Sequence, residues 1–70
     1  MATARQRALL REILRLLLAE RCDAQLLYIP RGEEGMRRMI GELLRLRVPG
    51  ENDDALRALL NELNALDNQA

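Results

Sequence analysis

Along three stretches of this chain the apolar residues return every three or four positions, and sixteen of the 70 residues are leucine. That period gathers side chains on one side of an α-helix, and leucine is among the better helix formers. Arg and Glu fill most of the positions between, so each stretch reads as an amphipathic helix. Such a helix must cover its apolar stripe with another helix or a partner. Seventy residues hold one domain at most, and at this size a core rarely supplies more than about 3–5 kcal/mol. No staple is visible in the sequence. Cys22 is the single cysteine, so no internal disulfide can form, and with no His a zinc quartet has no ligand set.

The first stretch opens with Thr3-Ala4-Arg5-Gln6, which fits a capping box. Behind it Leu9, Leu10, Ile13, Leu14, Leu16, Leu17 and Leu18 cover roughly 200° of a helical wheel, about twice the arc that covers one core. The first helix is therefore central, or it faces a second chain. Helical pattern fades at Cys22-Asp23. Residues 25–30 then read as an extended link, because Pro30 disfavours helix at Ile29, while Tyr28 and Ile29 suit a strand. The link lies over the helices or pairs as an edge with another chain.

A second helix begins near Glu33, with Glu33 and Glu34 at its positive end and Arg45 and Arg47 at its negative end. Met36, Met39, Ile40, Leu43 and Leu44 form its apolar face. Glu33 with Arg37 and Glu34 with Arg38 are i,i+4 pairs in the favourable order. Gly35 and Gly41 weaken it by about 1 kcal/mol each relative to Ala. Val48-Pro49-Gly50 makes the next turn. A third helix follows Glu51-Asn52-Asp53-Asp54, a cluster suited to a helix start, and carries Ala55, Leu56, Leu59, Leu60, Leu63 and Leu66 on one stripe.

Charge narrows the function. The chain is neutral, but residues 1–49 hold ten Arg against six acids and residues 50–70 one Arg against five. Nucleic-acid binders usually carry a net basic excess. Here the halves cancel, which suits contact between oppositely charged ends within a chain or between subunits. The turn between the second and third helices has the length found in a helix-turn-helix. The third helix, with its single Arg57 among acids, would repel phosphates as a recognition helix. A DNA-binding regulator would therefore have to use Arg5, Arg7, Arg11 and Arg15 on the first helix.

Catalysis is poorly served. The only hydroxyls are Thr3 and Tyr28, and Cys22 has no activating partner beyond the neighbouring Arg21. Glu33-Glu34 and Asp53-Asp54 sit at helix starts, where the dipole explains them without acid–base chemistry. The glycines match no phosphate or dinucleotide loop. No catalytic residue, metal site or cofactor is expected. The longest apolar run, Leu16 to Ala19, is far short of the roughly 18–20 residues of a membrane span, and no signal peptide is read at the start. A lone thiol suits the cytoplasm.

The order of features from Arg7 onward resembles the helical N-terminal segment of zinc-containing macrodomain ADP-ribosyl hydrolases. The matching pieces are Leu14-Arg15-Leu16-Leu17-Leu18-Ala19-Glu20-Arg21, Ile29-Pro30, Leu43-Leu44-Arg45-Leu46-Arg47-Val48-Pro49 and Leu56-Arg57-Ala58-Leu59-Leu60. Arg45 stands where the family tends to have Asn, and Val48 where Pro is common. The sequence holds no macrodomain, with its ADP-ribose loops and zinc ligands, so no functional residue carries over. The resemblance implies a helical module that docks onto a partner enzyme, and not a hydrolase.

The expected fold is all-α, a three-helix bundle with helices at about 4–22, 33–47 and 53–66. Its core is expected to draw on Leu10, Ile13, Leu17, Met36, Ile40, Leu43, Leu59 and Leu63. The expected function is protein–protein interaction or self-association, most simply a homodimer, with Leu9, Leu14, Leu16 and Leu18 partly lining the interface.

Overall fold

A computed structural model describes residues 2–21 and 28–69. Three helices, α1 (Ala4–Ala19), α2 (Glu33–Leu46) and α3 (Asp53–Asp67), form an all-α bundle, with no strand among the described residues.

The start of α1 is the expected capping box. The Gln6 amide donates to Thr3 Oγ1 at 3.1 Å, and the Thr3 amide donates to Gln6 Oε1 at 2.8 Å. The helix ends at Ala19, short of the expected 22. There the Glu20 N–H turns back to the Leu17 carbonyl at 3.3 Å, the tighter i→i−3 bond that often closes a last turn. In α2 both expected i,i+4 pairs form, Arg37–Glu33 at 2.9 Å and Arg38–Glu34 at 3.7 Å. At the head of α3 the Asn52 side chain caps nothing. The turn is held instead by Asp53 Oδ1, which accepts the Gly50 N–H at 2.9 Å.

Contacts at the two poles fix the topology. At one pole Gln6 near the start of α1 and Arg37 near the start of α2 both hold Asp67, the last residue of α3. At the other, Glu20 after α1 meets Arg47 after α2 and Asn52 before α3. Thus α1 and α2 run parallel, and α3 runs antiparallel to both. Residues 20–32 connect opposite ends of a helix about 24 Å long, whereas antiparallel α2 and α3 need only residues 47–52. Of the expected extended link, residues 25–27 lie outside the described residues. Ile29 packs on the core and residues 28–30 form no strand, while Tyr28 stays 81% exposed. Gly35 lets Pro30 come close, since a Cβ there would stand 2.9 Å from Pro30 Cβ.

The core sits around α1. It packs on both α2 and α3, which touch each other far less. Leu9, Leu10, Ile13, Leu14, Leu17 and Leu18 are buried, joined by Met36, Ile40 and Leu43 from α2 and Leu56 and Leu63 from α3. Seven of the eight expected core residues are buried. Leu59 is only partly so, and Leu56 lies deeper in its stead. The broad arc of α1 is thus explained within one chain: a helix flanked on two sides needs two stripes of leucine.

Candidate functional site

The parallel pairing of α1 and α2 gathers two helix C-termini at one pole, where the partial charge is negative. Arg47 sits there, its side chain only 13% exposed. Its guanidinium donates to Glu20 at 2.8 and 3.0 Å and reaches Asp53 Oδ1 at 2.6 Å, while Asn52 Nδ2 donates to Glu20 at 3.2 Å. Arg47 hydrogen bonding holds the Glu20 carboxyl below its ordinary range. Asp53 is lowered too, first by the Gly50 N–H and then by Arg47. Both carboxylates in turn raise Arg47. Acids locked in the charged form by a guanidinium are poor proton donors near neutrality, so this cluster is a clamp.

Beside the clamp lies an open groove of about 450 Å³. Leu17 and Leu43 form part of its wall, and Leu46 and Val48 stand at it together with Glu20, Arg21, Arg47 and Glu51. Leu46 and Val48 are 64% and 80% exposed, and with Tyr28 they are the large apolar side chains most open to solvent among the described residues.

The opposite pole holds the starts of α1 and α2, where the partial charge is positive, and Asp67 of α3 lies against them. Arg37 grips Asp67 through two bonds of 2.8 Å and Glu33 through one of 2.9 Å. Gln6 Nε2 donates to Asp67 at 2.9 Å. The Arg37 bonds hold the Asp67 carboxyl below its usual value. A recess of about 380 Å³ there is lined mostly by these polar groups.

The expected interface on α1 needs correction. Leu9 (1% exposed), Leu14 (0%) and Leu18 (7%) are buried inside their own chain, and Leu16 is half-buried against the core. The two flanking helices cover the arc that would otherwise face a partner. Of the four arginines set aside for nucleic acid, Arg5 is paired with Glu62 of α3. Arg7, Arg11 and Arg15 are exposed, and none joins an ion pair among the described residues.

Sequence reasoning overlooked Leu46 and Val48. Leu46 falls at the margin of the α2 stripe beside Met39, and Val48 was absorbed into a turn. The signal was there: two apolar residues flanking Arg47, one at the margin of the α2 stripe and one just past the helix end. Among the described residues no group of His, Cys, Asp or Glu is arranged to hold a metal, and no helix is long and apolar enough to cross a membrane. No family model matches the chain, and neither the curated proteins nor the solved structures contain a match.

Proposed function

We propose that this protein is a non-catalytic helical module that self-associates weakly through the Leu46–Val48 edge. The observation that carries this reading is the exposure of those two side chains beside a groove that continues onto Leu17 and Leu43. An exposed Leu and Val on a pole otherwise closed by ion pairs are the kind of apolar surface a partner covers. A second copy suits the edge because its surroundings hold both signs, with Glu42, Arg45, Arg47 and Glu51 close along the chain. A two-fold contact requires a patch that complements itself. The lone thiol of Cys22 fits a cytoplasmic setting for this association.

Two side chains make a small contact. Stable interfaces bury about 800 Å² per partner, so the pairing belongs to the weak, transient class, with a dissociation constant of about 10⁻⁴ M or weaker. Sedimentation velocity over a concentration series tests it. The expected result is a weight-average mass that climbs toward twice the monomer, and a Leu46→Glu variant that stays monomeric with unchanged helicity. A monomer at every concentration refutes self-association.

The resemblance to the helical segment of macrodomain hydrolases adds a heterotypic form of the same reading, in which the edge docks onto an enzyme. Titrating the monomeric protein with a macrodomain ADP-ribosyl hydrolase, with Leu46→Glu as control, separates that form from self-association.

A further inference from the structure

Two sets among the eleven arginines of this chain bear on binding. Arg31 and Arg57 are also exposed and hold no carboxylate among the described residues, but each stands singly on another segment. Arg5, Arg37, Arg38, Arg45 and Arg47 each hold a carboxylate. Arg7, Arg11 and Arg15 are exposed on α1 and hold none among the described residues. Four-residue spacing stacks them along one ridge, each about 6 Å above the last, so their backbone anchors span about 12 Å. The other exposed residues of α1 are Ala4, Arg5, Ala8, Glu12 and Ala19, of which Arg5 is held by Glu62. The ridge therefore offers charge without any apolar anchor.

That combination selects the partner. Protein interfaces depend on buried aromatic or aliphatic anchors, and single-stranded nucleic acid depends on aromatic rings that stack its bases. This face has neither. A duplex backbone asks only for cationic donors at phosphate spacing. Each strand carries one phosphate per about 3.4 Å of duplex axis, so a ridge of about 12 Å has enough phosphates within reach for each arginine to meet one. The guanidinium fork matches phosphate oxygens bidentately. No Asn or Gln stands on the ridge to read base edges.

We infer that the Arg7–Arg11–Arg15 ridge of α1 binds the phosphate backbone of double-stranded nucleic acid without reading its sequence. The ridge is a different surface from the Leu46–Val48 edge, and neither reading depends on the other. Glu12 lies among the arginines and opposes the contact.

Fluorescence anisotropy of a labelled short DNA duplex, titrated with the full chain at several salt concentrations, tests the inference. Three contacts predict a slope of log K against log salt of about −2.7, with binding strongest at low salt. Each single substitution to Gln at Arg7, Arg11 or Arg15 lowers that slope by about one unit, and the triple variant abolishes binding. Replacing all three by Lys retains the slope, and Glu12→Gln tightens binding. A double Arg38→Gln, Arg45→Gln variant, which shifts net charge away from the ridge, leaves binding unchanged. The exposed positions leave helicity intact in every variant, as circular dichroism verifies. No salt-dependent binding, a triple variant that binds like the parent, or tighter binding to polyglutamate or anionic vesicles than to duplex overturns the inference.

Discussion

α1 and α3 are nearly equal in length, at 16 and 15 residues, and both are rich in leucine, yet they are held in place by different forces. α1 buries six large side chains, closes its own N-terminus with a capping box, and of its described side chains only Arg5 and Gln6 bond to another helix. α3 buries two and lacks a side-chain cap, but it is tied by charge along its length: Asp53 to Arg47, Glu62 to Arg5 and Asp67 to Arg37. The difference comes from position. A helix between two neighbours is covered on both sides, whereas one at the flank keeps half its surface wet. Leucine content alone does not say which helix is which. Exposed ion pairs are individually worth a few tenths of a kcal/mol, so α3 is the segment that should loosen first.

Leu14→Ala offers the hardest test of that contrast. Leu14 is fully buried in α1, and emptying its site should cost about 3 kcal/mol or more. For a domain whose core supplies about 3–5 kcal/mol, this leaves much of the protein unfolded in urea-free buffer by far-UV circular dichroism. Leu63→Ala, at one of the two buried positions of α3, should cost about 2 kcal/mol, because the site lies nearer the surface than Leu14 and collapses more readily. Equal losses at the two sites would break the distinction between centre and flank.

The two glycines of α2 sharpen it on a smaller scale. A methyl at Gly35 meets the Pro30 ring at 2.9 Å, so Gly35→Ala should lose about 1 kcal/mol even though Ala is the better helix former. Gly41 has nothing within 4 Å, and Gly41→Ala should gain about 0.5–1 kcal/mol. Paired thermal melts decide the signs. Smallest is Asp67→Asn. Its side chain is 29% and that of Arg37 34% exposed, so screening limits the loss to about 0.5 kcal/mol. The variant should show faster amide exchange at the end of α3 and little change in α1.

Acid tests the charged ties together. Asp67, Asp53 and Glu20 are all depressed in the folded state, the first by Arg37, the second by the Gly50 N–H and Arg47, the third by Arg47. A depressed carboxyl stabilises the fold fully above its unfolded value and loses that contribution as pH falls through the folded one. Melting temperature should therefore hold level around neutrality, where the absence of His leaves little to titrate, and decline below the ordinary carboxyl values of 3.8 and 4.5. Protection of α3 should fall before that of α1 does.

Much of the fold was legible in the sequence because the information is local. Period, capping box and breakers fix the helices: Thr3 and Gln6 open α1, Glu33 opens α2, and Pro49-Gly50 separate α2 from α3. The direction of each helix was not legible. Nothing within α1 or α2 encodes that they run parallel; that follows from Arg37 and Gln6 meeting at Asp67, and from Arg47 meeting Glu20, contacts 27 or more residues apart in the chain. The candidate edge was missed for the same reason. Whether α1 carries surplus leucine depends on how many neighbours it has, and only the assembled bundle shows two. In the proposed reading, Leu46 and Val48 stand where the sequence alone points to Leu9, Leu14, Leu16 and Leu18.

The pole that holds Asp67 also brings Ala2 and Gln69 to the lining of one recess. Beginning and end of the described chain therefore emerge side by side, a helix length away from Leu46 and Val48. A short peptide splice from residue 69 back to residue 2 would make a closed ring, which could be reopened between α2 and α3 with all three helices retained. A tag or neighbouring domain grafted at either terminus would hang from that pole and leave the opposite one unobstructed.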